Sequence, residues 1–138
     1  MLFPKKHAVL DKTGYLEHIF RMIERAELIR EIARYEADVS SAMSKIQKYP
    51  WDCDSDLYTL TRVDVLKVLE RYLGDEISSE ELQGWASFLE CREDIGYQVD
   101  AQEILDKVIF WLANPEINYT INKELVKNLK NQVWSNRN

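Results

Sequence analysis

The sequence predicts an all-α fold, a single-domain bundle of about five helices spanning 1–138 and led by a long N-terminal helix. Three observations predict it. The 138 residues include only four Gly and three Pro, too few breakers for a turn-rich all-β chain. Apolar residues recur at three- and four-residue steps over several long stretches, the period of an amphipathic helix. Capping residues stand at the starts of most of those stretches. With 46% hydrophobic residues, a chain of this length can hold one core without disulfides or metal.

The first stripe starts at Tyr15 and runs through Ile19, Met22, Ile23, Ala26, Ile29 and Ala33. Val39, Met43 and Ile46 keep the spacing as far as Tyr49-Pro50, where the proline disfavours helical dihedrals at the residue before it. Asp38-Val39-Ser40-Ser41 lowers the local propensity, because Asp and Ser side chains compete for the backbone. One long, bent helix is the favoured reading, and two helices broken there are the alternative. Residues 1–10 are expected to be a mobile end.

Residues 50–60 show no helical period and read as a connecting loop. Thr61-Arg62-Val63-Asp64 opens the next helix, with the Thr hydroxyl as cap and Asp64 in the first turn. Val65, Leu66, Val68, Leu69, Tyr72 and Leu73 form its buried face, and Gly74 ends it in a left-handed conformation. Ser78 with Glu81 fits a capping box for a helix that buries Leu82, Trp85, Ala86 and Leu89. That helix ends near Arg92, since Ile95-Gly96-Tyr97 breaks the pattern and Gly96 can turn the chain. Asp100 with Glu103 repeats the capping signal before Ile104, Leu105, Val108, Ile109 and Leu112, and Asn114-Pro115 stops the run. Asn122 caps a last helix carrying Leu125, Val126, Leu129 and Val133. No strand is expected.

The net charge of −6 is unevenly spread. Residues 1–50 carry nine basic and seven acidic side chains, and 107–138 carry five and two. Between them, 52–106 hold four basic residues (Arg62, Lys67, Arg71, Arg92) against fifteen acidic ones, a net −11. An acidic block of this kind repels phosphate backbones, so direct nucleic-acid binding is disfavoured. No apolar run reaches the roughly 18 residues of a membrane span, and no apolar leader follows Lys5, Lys6 and His7. A cytoplasmic location with no membrane partner is therefore expected. Cys53 and Cys91 lack the Cys-x-x-Cys spacing and read as reduced thiols.

No catalytic set assembles along the chain, and neither an enzyme nor a cofactor is expected. His7 and His18 make no zinc pattern, and no Ser-His-Asp or Cys-His arrangement is visible. Asp52-x-Asp54-x-Asp56 begins like a calcium loop, but position six would be Leu57 instead of Gly and position twelve Val63 instead of a bidentate Glu.

The acidic residues point instead to a protein partner. Trp51 and Tyr58 flank the Asp52, Asp54 and Asp56 triplet, an arrangement of aromatic anchors within a ring of charge. Asp75, Glu76, Glu80, Glu81, Glu90, Glu93 and Asp94 exceed what helix capping needs. Their mutual repulsion costs stability, which is tolerable where the surface attracts something basic.

Leu60-Thr61-Arg62-x-Asp64, Leu69-x-Arg71-Tyr72-Leu73-Gly74, Ser79-x-Glu81-Leu82-x-x-Trp85-Ala86-x-x-Leu89-Glu90-x-Arg92-x-Asp94-Ile95-Gly96-Tyr97 and Leu112-Ala113-Asn114-Pro115 carry a resemblance over about 60–125. The chain resembles the small α-helical bacterial immunity proteins of polymorphic toxin systems, including contact-dependent growth inhibition. The resemblance implies a non-enzymatic protein, monomeric when free, that binds the C-terminal toxin domain of its own system, commonly a nuclease. A nuclease needs a basic surface, and an acidic inhibitor gains steered association with it. The alternative is a helical adaptor or regulatory domain, homodimeric through its first helix.

Overall fold

The computed structural model describes residues 2–36 and 38–135, and the side chains of 14–36 and 38–135. Among them are six α-helices, α1 (Leu2–Ala33), α2 (Val39–Ile46), α3 (Arg62–Leu73), α4 (Ser79–Glu90), α5 (Gln102–Ala113) and α6 (Lys123–Ser135). Two short strands, β1 (Tyr58–Leu60) and β2 (Ile95–Tyr97), form a parallel pair. The all-α expectation holds, with α4 against α5, α1 against α2 and α3 against α6 as the main helix contacts. Trp85, Leu69, Leu82, Leu105, Ile109, Leu112 and Leu129 are fully buried between them, each contributing about 1.5–3 kcal/mol of burial.

The first helix is long, as expected, but its continuation to Tyr49 is a correction: it ends at Ala33, and the alternative of two helices is the one that forms. Past Ala33 the Tyr35 N–H donates to the Ile32 carbonyl at 3.0 Å and the Glu36 N–H to Glu31 at 2.9 Å. This is a Schellman ending, with Tyr35 at φ 52° in the left-handed region that bulky residues seldom occupy. Tertiary contacts hold it there. The Tyr35 ring is buried beneath the Arg71 guanidinium, 5.3 Å from its centroid, and Arg71 also donates to the Tyr35 carbonyl. The Trp85 indole N–H donates to the Ala33 carbonyl at 3.0 Å, satisfying one of the acceptors a helix end leaves open. Helix α2 then runs back along α1, burying Val39, Ala42 and Ile46, so that Lys48 reaches Glu24 at 3.0 Å. The side chains of the expected mobile end, 1–10, lie outside the described residues.

The strands are a second correction. β1 arises in the segment read as loop, and β2 where Gly96 was expected to turn the chain. Thr59 lies opposite Gly96 in the ladder. A three-residue strand carries almost no period-2 signal, and two parallel strands are adjacent only because α3 and α4 form the crossover between them. Gly96 is needed for space: a Cβ there would collide with the Asp56 carboxylate and lie 2.7 Å from its Cγ.

The caps follow the sequence in part. The expected Ser78–Glu81 capping box forms, the expected Thr61 cap forms as a full box with Asp64, and the Asn122 Oδ1 accepts from the Leu125 N–H at 2.8 Å. The left-handed residue after α3 is Asp75 at φ 61° and not Gly74, with the Asp75 N–H on Tyr72 O and the Glu76 N–H on Arg71 O. Asp tolerates this region better than most residues. The expected Asp100 cap does not form. A 3₁₀ turn, Val99–Ala101, leads into α5 with no side-chain cap, and Asp100 pairs with Arg62 at 3.4 Å.

Candidate binding surface

Asp94 organises the acidic end of the molecule from inside it. Its carboxylate is 0% exposed and accepts from Arg25 Nε at 3.0 Å and from Arg92 Nε and Nη2 at 3.0 and 2.6 Å. Two guanidiniums on one carboxylate leave positive charge over, and backbone carbonyls take it up. Arg25 Nη2 donates to the carbonyls of Pro50 and Asp52, each at 2.8 Å, and Arg92 Nη2 to Pro50 at 3.1 Å. The Glu93 N–H on Trp51 O and the Leu57 N–H on Asp94 O complete the attachment. Because the backbone of this segment is tied inward, the side chains of Asp52, Asp54 and Asp56 are exposed. Asp94 is therefore not a surface contact, as its acidity suggested, but the group that holds the acidic loop.

Beside the loop lies a groove of about 610 Å³ whose acidic walls are Asp56, Glu90, Glu103 and Asp106. Among the described residues Arg92 is the one cation lining it, and its side chain is 8% exposed and committed to Asp94. Gly96 and Tyr97 also line it. Burial first, and then the charges of Asp106 and Glu90, push the Tyr97 hydroxyl up to about 12, so the negative field reaches this ring. The sequence reading gave Glu103 only a capping role and passed over Asp106, since three-residue spacing on a polar helix face is ordinary. Only the crossing of α5 past β2 sets them near Asp56.

The other expected residues are divided by the fold. Glu93 is exposed beside the loop. Asp75, Glu76, Glu80 and Glu81 lie at the far end of α4, since ten residues from Glu80 to Glu90 span about 15 Å of helix axis. There Asp75 pairs with Lys123 at 2.9 Å and Glu76 with Arg71 at 3.3 Å. The Ser78 N–H donates to Glu81 at 2.8 Å and is the main reason its carboxyl lies below the usual range. Trp51 is 56% exposed at the edge of the acidic loop. Tyr58 is not free to act as one: it is half-buried, donates to Asp64 Oδ2 at 2.6 Å and accepts from Arg34 Nε at 3.2 Å.

Among the described residues no group of three or more His, Cys, Asp or Glu is arranged to hold a metal ion, and Cys53 and Cys91 are free thiols. No described helix is long and apolar enough to cross a membrane. Compared with family models, curated proteins and solved structures, the chain matches none.

Proposed function

We propose that the protein is a cytoplasmic bacterial immunity protein that binds the basic C-terminal domain of a cognate toxin, a nuclease in the reading favoured here, and occludes it without cofactor or catalysis. The observation that carries this is the convergence of Asp52, Asp54, Asp56, Glu90, Glu93, Glu103 and Asp106, from three parts of the chain, on one end of the fold where the lining cation is already spent. Carboxylates gathered without counter-charge cost stability and raise the local attraction for a cation-bearing surface. The Arg25 and Arg92 clamps hold the loop backbone before any partner arrives, which lowers the ordering cost of binding. Trp51 supplies an aromatic contact next to the charged rim.

Co-expression with the toxin domain encoded beside the gene tests the reading. Asp54→Lys, Asp56→Lys, Glu103→Lys and Asp106→Lys together should abolish protection and slow association at low salt at least about tenfold. Glu80→Lys, at the other end of α4, should leave both near wild type. Protection unaffected by the fourfold reversal would overturn the proposal.

A further inference from the structure

The buried residues of α1 and α2 keep one register across the break between the two helices. Arg25, Leu28, Ile32, Tyr35, Val39, Ala42 and Ile46 are all buried, and they follow one another in alternating steps of three and four residues, the seam of a single helix. No Gly or Pro stands between Gly14 and Pro50, so the sequence contains no residue that obliges the chain to turn. The turn is made by Tyr35 in the left-handed region at φ 52°, a conformation that a residue with a Cβ disfavours. Asp38, ahead of α2, makes no side-chain cap, so straightening the connection forfeits none. A short connection held under strain is the kind through which elements exchange between copies of a chain.

We propose that residues 34–38 straighten to join α1 and α2 into one helix, and that two copies opened in this way exchange their α1 helices. Each α1 then packs on the other copy's α2 as it now packs on its own. The result is an antiparallel helix pair with its two-fold axis at Glu36, the midpoint of the Glu24–Lys48 pair that meets at 3.0 Å. Exchange of an identical element remakes the existing contacts and needs no new surface. The change is confined to the hinge. Tyr35 returns to helical backbone and leaves Arg71, whose guanidinium props its ring and binds its carbonyl in the closed form. The Trp85 bond to the Ala33 carbonyl survives, because a carbonyl has two lone pairs and accepts from a helical N–H and the indole together. The acidic end is affected directly. Arg25 belongs to α1, so in the exchanged form Asp94 and the Pro50 and Asp52 carbonyls, its present partners, receive Arg25 from the other copy. Each acidic loop is then held in place across the dimer. This departs from the monomer expected of the free protein and does not rest on a toxin partner.

Refolding the full chain from urea at high concentration should give a dimer that size exclusion separates from the monomer. The two should interconvert slowly, because opening breaks every contact of α1 with the body. A zero-length carbodiimide joins the Glu24 carboxylate to the Lys48 amine as an amide, and mass spectrometry on a co-refolded mixture of isotope-labelled and unlabelled chains shows where that link falls. It should lie within one chain in the monomer fraction and between chains in the dimer fraction. Tyr35→Ala and Tyr35→Gly then tune the hinge. Both delete the ring, but alanine favours the helix and glycine the left-handed turn, so the alanine dimer should have a dissociation constant at least about tenfold lower than the glycine dimer. A Glu24–Lys48 link that stays within one chain in the dimer fraction would mean pairing of closed copies and overturn the proposal. So would a chain that stays monomeric after refolding at every concentration, Tyr35→Ala included.

Discussion

Arg25 on α1 and Asp94 ahead of β2, 69 positions apart in sequence, meet at 3.0 Å with the carboxylate wholly withdrawn from solvent. The acidic loop is held to the body through this pair and Arg92. Removing Asp94 strands two guanidiniums in a site too dry to hydrate them, whereas removing Arg25 leaves the carboxylate still paired with Arg92. Asp94→Ala should thus destabilise by about 3–5 kcal/mol, and Arg25→Met by clearly less. Urea unfolding followed by circular dichroism measures the difference, and hydrogen exchange at the Leu57 and Glu93 amides reports whether the loop is released.

Gly96 and Asp56 compete for one volume. Gly96→Ala should force the exposed Asp56 side chain aside at a cost of about 1 kcal/mol, and Asp56→Ala in the same chain should recover most of it. A double-mutant cycle by thermal unfolding should show coupling within the 0.5–3 kcal/mol found for touching residues. Additive single effects would mean that the backbone gives way instead of the side chain.

Asp75 occupies a left-handed position for which glycine is better suited. Asp75→Gly should stabilise by about 0.5–1 kcal/mol, less whatever the exposed Lys123 pair contributes. A melting temperature raised by a few degrees, with toxin protection unchanged, would fit its place away from the acidic groove.

Tyr97 ties stability to alkaline pH. Its hydroxyl ionises near 10 in the unfolded chain and at about 12 in the folded one. As pH rises from 10 to 12 the unfolded state loses its proton first, so stability present below 10 falls, by at most about 2.7 kcal/mol for two units. Tyrosinate absorbance should show a phase near 12 that Tyr97→Phe removes. Asp106→Asn with Glu90→Gln should move that phase down but not to 10, because burial is the larger cause. At the acid end, Glu81 and Asp100 lie below their usual values through hydrogen bonds from Ser78 and Gln98. Their contribution is present above pH 4–5 and is lost as pH falls through those lowered values.

Local chemistry determined most of the helices. Thr61 with Asp64, Ser78 with Glu81, and Asn122 are signals within three residues of one another, and the apolar periods of α3 to α6 need no long-range knowledge, so these elements could be read from the chain alone. The concentration of negative charge in 52–106 was equally plain in the sequence. Tertiary structure decided everything that depends on two distant segments meeting. The break after Ala33 rests on a buried Tyr35 propped by Arg71 and capped from Trp85, with no glycine to announce it. The strands exist because a helical crossover sets two three-residue runs side by side. Position in space also sorted the acids. Asp94 reads like Glu93 in the sequence, yet one is sealed between two arginines while the other faces water, and Glu103 and Asp106 joined the groove through the path of α5. Charge is a property of the residue, but whether that charge is paired, buried or offered to a partner depends on which neighbours the fold brings within a few ångströms.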